Sequence, residues 1–270
     1  MRNIPRPLAF ILISTNHGAM IINRNDYHMV NQNSGYGVGF QLLTTSSFDQ
    51  KEIDLALALL DKRRINFGNG VIAIDCGANI GVHTIEWARL MYQWGEVISF
   101  EAQEKIYYAL AGNVAINNCL NVTARHAAVG AECSVIDIAE PNYLIPSSYG
   151  SFELRQSQQN EFIGQVIDYK KTKPVPLVSI DSLDFKRLDF IKIDVEGMEE
   201  DVLAGAENSI RKYQPIMMIE IIKSDQAQIE NVLQKNGYEF YPMGINLLAI
   251  HGNDPTLESI KFENDNWWLS

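Results

Sequence analysis

Cysteine is scarce in this sequence, which has only Cys76, Cys119 and Cys133 in 270 residues. An odd number with no metal-ligand spacing excludes a disulfide framework and a thiolate zinc site. It points to a reducing compartment, with the cytoplasm as the expected location. Positive charge is also short: 22 Lys and Arg stand against 33 Asp and Glu, a formal net charge of −11. That balance repels a phosphate backbone and makes nucleic acid a poor partner. The one basic cluster, Lys170, Lys171 and Lys173, reads as a solvated loop. Long apolar runs are missing too. The stretch from Leu8 to Ile13 is too short for a membrane span and lacks the pattern of a cleavable signal. No internal repeat or low-complexity segment is present. With 46% hydrophobic and 20% charged residues, the chain has the composition of a globular α/β domain large enough to bury a full core.

The most informative stretch is Val71-Ile72-Ala73-Ile74-Asp75-Cys76-Gly77-Ala78-Asn79-Ile80-Gly81, an apolar strand running into an acidic, glycine-bearing turn that opens a helix. Gly77 and Gly81 leave room for a ligand to approach the backbone, and the free N–H groups of the helix start can face an anionic group. Asp75 suits the ammonium of an amino-acid-like ligand better than a pyrophosphate. A second apolar strand, Glu96 to Glu101, ends in an acid about 20 residues beyond the loop, the spacing at which a carboxylate meets a ribose diol in a βαβ unit. An adenosine cofactor is implied. Asn79 stands where the dinucleotide fingerprint needs glycine, so S-adenosyl-L-methionine fits better than NAD.

Asp75-Cys76-Gly77-Ala78-Asn79-Ile80-Gly81, Phe100-Glu101-Ala102, Ile191-Lys192-Ile193-Asp194-Val195-Glu196-Gly197-Met198-Glu199 and Ile219-Glu220 occur in this order within residues 71–222. Together they resemble the successive motifs of the FkbM-type methyltransferases. The resemblance implies a class I, Rossmann-like seven-stranded sheet, mostly parallel with an antiparallel carboxyl-terminal hairpin and helices on both faces. It also implies an S-adenosylmethionine-dependent methyltransferase, mostly acting on hydroxyls of sugars, lipids or secondary metabolites in natural product biosynthesis. Some relatives methylate nitrogen, including side-chain amides of modified peptides. An NAD-dependent oxidoreductase and a non-catalytic binding module are the readings from other classes.

Alternating patterns predict strands near 71–75, 96–101, 121–126, 188–194 and 216–221, and helices near 82–93, 103–117, 199–212 and 224–236. A hairpin of 238–242 and 246–251 follows. Residues 1–66 read as an extension or lid on a core of 67–252, with 253–270 as a tail. The extension holds short strands near 8–14 and 19–22, and Ser47-Phe48-Asp49-Gln50 resembles a capping box opening a helix to about Lys62. Residues 31–41 imitate a phosphate loop with no strand before it, and read as a mobile flap or a plain loop. The Pro- and Ser-rich segment 131–178 is assigned to acceptor binding.

Ligands of open α/β sheets sit beyond the carboxyl ends of the strands, where strand order reverses. Asp75, Glu101, Asp194 with Glu196, and Glu220 fall at such ends. The cofactor site is expected from Asp75, Gly77, Asn79, Gly81, Glu101, Ala102, Ala128 and Asp194, with Glu101 on the ribose and Ala127, Ala128 and Val129 near adenine. Asp194 is the first choice to take or orient the acceptor proton, followed by Glu220 and His83. Glu196 reads equally as a helix-start acid. Lys192, on the opposite face from Ile191 and Ile193, needs a rim acid as partner. No metal is expected, because Asp194 and Glu220 lack an identifiable third ligand. The expected partner is a small-molecule or peptide acceptor. Trp267-Trp268 reads as packing or a homodimer contact.

Overall fold

The computed structural model describes residues 7–32, 34–263 and 266–270. The remaining parts of the predicted extension (1–6), flap (33) and tail (264–265) lie outside the described residues. The extension begins with an antiparallel hairpin, β1 (Phe10–Thr15) and β2 (Gly18–Asn23), followed by the short pair β3 (His28–Met29) and β4 (Gly35–Tyr36). Helices α1 (Val38–Thr45) and α2 (Gln50–Phe67) complete it. The core follows with β5 (Val71–Cys76), α3 (Val82–Leu90), β6 (Gly95–Glu101), α4 (Glu104–Ile116), β7 (Val122–His126) and β8 (Ala128–Val129). The predicted acceptor segment carries β9 (Ser134–Ala139) and β10 (Thr172–Val178). Next come β11 (Phe190–Ile193), α5 (Glu199–Ala204), α6 (Glu207–Tyr213), β12 (Ile216–Glu220), α7 (Gln226–Lys235), β13 (Tyr238–Met243) and β14 (Asn246–His251). The tail adds the pair β15 (Ile260–Glu263) and β16 (Asn266–Leu269).

The main sheet has seven strands in the order β13-β14-β12-β11-β5-β6-β7, parallel except for β14, which runs antiparallel to both neighbours. Side chains alternate between two cores. Val71, Ala73, Val97, Phe190 and Met218 face α2, α3 and α4, whereas Ile74, Cys76, Ile191, Ile193 and Ile219 face α5, α6 and α7. Asp75, Ser99, Glu101, Lys192, Asp194 and Glu220 have the first parity and are carried to the α2/α3 side. Strand order reverses beside β5, so the carboxyl ends of β5 and β11 border the crevice.

Three local expectations are corrected. The capping box does not form: Ser47 Oγ donates to Gln50 Oε1 at 2.8 Å, Asp49 is the N-cap in the left-handed region (φ 35°), and α2 runs past Lys62 to Phe67. The predicted helix 199–212 breaks at Gly205-Ala206 into α5 and α6. A Cβ on Gly205 would lie 2.1 Å from the Gly130 carbonyl oxygen, and α6 takes its cap from far away, with Asp181 accepting from Asn208 N and Ser209 N at 2.9 and 2.7 Å. The acceptor segment is not wholly irregular, since β9 and β10 pair antiparallel and β10 also pairs with β8.

The extension is pinned rather than loosely laid on. Asn113 of α4 accepts from Ile21 N at 2.5 Å and donates to the carbonyls of Ile21 and Ile80 at 3.0 and 2.9 Å. In the flap region, Gly39 N donates to buried Asp26 Oδ2 at 3.0 Å, and Asp26 Oδ1 accepts from Tyr149 N at 3.0 Å. The tail packs back as well: Trp267 Nε1 donates to the Pro242 carbonyl at 2.8 Å, and its ring lies 5.5 Å from that of Tyr241. Among the described residues, no helix is long and apolar enough to cross a membrane.

Candidate active site

A cavity of about 220 Å³ opens at the crevice. Its walls include Asp75, Gly77, Asn79, Glu101, Ala102, Ala128 and Asp194, joined by Val38 of the extension and Phe152 of the predicted acceptor segment. The glycine turn is shaped by the protein's own packing. A Cβ on Gly77 (φ 79°) would lie 1.8 Å from the Asp194 carbonyl oxygen, and one on Gly81 (φ 90°) would lie 2.5 Å from Leu110 Cδ1. The turn's amides are committed as well. Gly77 N and Ala78 N donate to the Phe100 carbonyl, and Gly81 N to that of Ala78. Asn79 N donates to Glu101 Oε2 and Ile80 N to Asn79 Oδ1. The clearance expected for a ligand is thus filled by protein, and the turn keeps no free N–H for a pyrophosphate.

Asp75 is buried, and its Oδ2 accepts from the Thr84 hydroxyl at 2.6 Å, which in turn meets Ser99 Oγ at 2.7 Å. The Thr84 backbone amide also bonds it, so the anion facing the start of α3 is the protein's own carboxylate. Burial raises the Asp75 pKa, against the opposing fields of Lys192 and these hydrogen bonds. Glu101 is only 5% exposed. Its oxygens accept from Asn79 N at 3.0 Å and Gln103 N at 2.7 Å. Burial pushes its pKa up to about 7, although both amides favour the charged form. A carboxylate has about four lone-pair sites, so Glu101 keeps accepting capacity beyond these two bonds.

On the other side of the crevice, strand register places Lys192 directly beside Asp75. Lys192 Nζ holds Asp194 Oδ2 at 2.6 Å, the rim-acid partner that strand alternation requires. Burial opposes the ammonium, but Asp194, Glu52 and Asp75 outweigh it and the Lys192 pKa is raised. Glu220 lies at the end of β12, and one oxygen from each of Asp194, Glu196 and Glu220 lies within 4.8 Å of the others. Burial, then the Asp194 charge, pushes Glu220 up to about 8. Burial with Asp194 and Glu220 raises Glu196 well above the usual range, against the pull of Lys223. Glu196 has a left-handed backbone (φ 56°) and precedes the N-cap of α5, Met198. Buried Glu199 accepts from Val195 N and Gly197 N at 2.9 and 3.0 Å and so fixes this turn. His83 also lines the cavity. Its Nε2 lies 3.4 Å from Glu52 Oε1, its Nδ1 has no partner among the described residues, and burial lowers its pKa so that the ring is neutral.

Several residues here carried no sequence signal. Glu52 reaches the rim from α2 and is held by Asn246 Nδ2 at 2.8 Å. Lys223 bonds Glu196, Glu161 and the Ser151 carbonyl at 2.7, 2.9 and 2.8 Å. Tyr36 of β4 donates to Glu161 and meets His28 Nδ1 at 3.0 Å. Apart from the contact between Tyr36 and His28, these contacts join different segments, up to 194 residues apart in the chain for Glu52 and Asn246, so no local pattern announces them. Only Lys223, three residues beyond a motif acid, had a neighbour that could have drawn attention.

The profile of the methyltransferase FkbM domain matches residues 75–240. Methyltransferase 1 of Beauveria bassiana (strain ARSEF 2860) is 22% identical over 184 residues, covering 64% of this chain and 74% of that protein. Methyltransferase sdnD of Sordaria araneosa is 21% identical over 201 residues, covering 64% and 76%. The solved structure of methyltransferase FkbM from Methylobacillus flagellatus KT aligns with a TM-score of 0.48 at 16% identity, over 68% of this chain. This chain spans 43% of that longer one. The profile match takes in the glycine turn, Glu101, the Asp194 motif and Glu220 in one span, and the chain belongs to the FkbM methyltransferase family.

Proposed function

We propose that this methyltransferase takes its methyl group from S-adenosyl-L-methionine and delivers it to a hydroxyl of a sugar, lipid or secondary metabolite. The observation that carries the cofactor reading is Glu101, a buried carboxylate held by two amides at the end of β6 with accepting capacity left over. A ribose diol offers the two donors that suit it. Ala102 and Ala128 give an apolar wall suited to adenine, Gly77 and Asn79 line the turn beside it, and Gly81 lies outside that lining, against Leu110. A turn whose amides are all spent suits a cofactor without phosphate. Asp75 and Asp194 suit the ammonium of the methionine end.

When bound, S-adenosylmethionine supplies a sulfonium-activated methyl group. The chain's own work is then alignment, exclusion of water and handling of the acceptor proton. Asp194, steadied by Lys192, orients the acceptor hydroxyl, and Glu220 draws its proton. His83 is the third candidate, but its one ring nitrogen with a polar neighbour faces Glu52. A nitrogen acceptor, such as a peptide side-chain amide, is the second reading. The uncommitted Glu220 carboxylate suits it equally, because it accepts an amide N–H as readily as a hydroxyl.

Calorimetric titration with S-adenosylmethionine, S-adenosylhomocysteine and NAD tests the cofactor. Binding of the two sulfur ligands without NAD is the expected outcome, and NAD binding alone would overturn it. Mass spectrometry of paired hydroxyl and amide acceptors then assigns the methylated atom.

A further inference from the structure

The acid rim holds more carboxylate than an acceptor hydroxyl requires. Asp194 and Glu196 are each tied to a lysine through one oxygen, Oδ2 and Oε2 respectively. Their other oxygens make no hydrogen bond among the described residues. Glu220 is 9% exposed, and its carboxylate has neither a hydrogen bond nor an ion pair among the described residues. The residue is enclosed, but its partnerless carboxylate oxygens are not among the fully buried atoms, so the group is open to something outside the chain. It is aimed at the other two acids, since one oxygen of each residue lies within 4.8 Å of the rest.

We propose that Asp194, Glu196 and Glu220 hold a hard divalent cation of the Mg²⁺, Mn²⁺ or Ca²⁺ class, with one oxygen from each. Oxygens on opposite sides of such an ion are roughly 4 to 5 Å apart, twice the usual metal–oxygen distance, and the observed spread falls inside that span. The donor set is all oxygen, which suits this class and disfavours zinc or copper. Lys192 and Lys223 hold one oxygen each of Asp194 and Glu196, and such contacts orient ligating carboxylates. Glu199 fixes the turn that carries Glu196. Three carboxylates from two strand ends then have a partner that the two lysines alone do not supply.

The consequence for catalysis rests on the methyltransferase reading, whereas binding of the ion does not. An acceptor hydroxyl coordinated beside Glu220 is made more acidic. As the new O–CH₃ bond forms, the S–CH₃ bond of S-adenosylmethionine breaks and S-adenosylhomocysteine leaves, while the hydroxyl's O–H bond breaks and its proton passes to the Glu220 carboxylate.

Mn²⁺ serves as the probe. The full chain is titrated and free Mn²⁺ is followed by electron paramagnetic resonance, with and without S-adenosylhomocysteine, whose own binding is measured by calorimetry on the same samples. The expected result is saturable binding of one Mn²⁺ per chain, displaced by Mg²⁺ or Ca²⁺. Glu220→Gln and Glu196→Gln should each weaken it by about tenfold or more, while S-adenosylhomocysteine still binds. Cofactor binding without saturable Mn²⁺ binding overturns the cation site and leaves the cofactor reading standing. Mn²⁺ binding indifferent to both substitutions also overturns it. Glu220-dependent Mn²⁺ binding without cofactor binding supports the cation site and sinks the cofactor reading instead. Circular dichroism checks that each variant folds, and Glu196→Gln decides the matter if Glu220→Gln does not.

Discussion

The carboxyl of Glu101 is pulled two ways, and its assigned role depends on which pull wins. Burial raises its pKa to about 7, while the amides of Gln103 and Asn79 favour the charged form. A ribose diol donates to the ionised carboxylate, so affinity for S-adenosylhomocysteine should rise about tenfold between about pH 6 and about pH 8. Calorimetry at both ends reads this directly. In Glu101→Gln, affinity at the upper pH should fall by ~1–3 kcal/mol and the pH dependence should flatten. A slope unchanged by the substitution would assign the diol to another group. The same shift acts on the ligand-free fold. A carboxyl whose folded pKa is raised contributes stability that is fully present below its ordinary value and lost as pH rises through about 7. The loss is on the order of 3 kcal/mol, so the melting temperature of Glu101→Gln should vary less across that window.

At the scale of elements, the break between α5 and α6 carries a measurable cost. The first amides of α6 depend on Asp181, 27 residues earlier in the chain than Asn208. Asp181→Ala should therefore lose about 1–2 kcal/mol, the usual value of a helix cap, read as a lower urea midpoint with an unchanged slope. The same distance explains what sequence could and could not reveal. The strands β5, β6, β11 and β12 were legible because each is a largely apolar run leading into an acid, and that ending also exposed Asp75, Glu101, Asp194 and Glu220. The split helix was not legible, since its cause is a close approach to the Gly130 carbonyl and a cap from another segment. Helix α1 was hidden by the glycines around it, and β10 by Pro174 and Pro176, which normally speak against a strand. Glu52, Glu161 and Lys223 enter the site through tertiary contact alone.

For the whole molecule, the decisive contact is the Lys223 ammonium. It has three donors, and all three are used, on Glu196 of the signature turn and on Glu161 and Ser151 of the segment 131–178. Glu161 also accepts from Tyr36, so the β3–β4 pair of the extension joins the same knot. Three segments that contribute Tyr36, Ser151 and Glu196 to the cavity wall are thereby tied through one cation. Lys223→Met leaves Glu196 and Glu161 without their counter-charge, a local loss of roughly 1–3 kcal/mol. Because cleavage of a transiently opened segment follows the population of the open form, limited proteolysis within residues 140–171 and near Tyr36 should become about tenfold faster. Lys223→Arg, which keeps the charge and several donors, should restore much of the protection. If the three proteins are cut at the same rate and sites, the knot does not hold the cover closed, and the segments over the crevice are kept in place by Asp26 and the packing around Tyr149 instead.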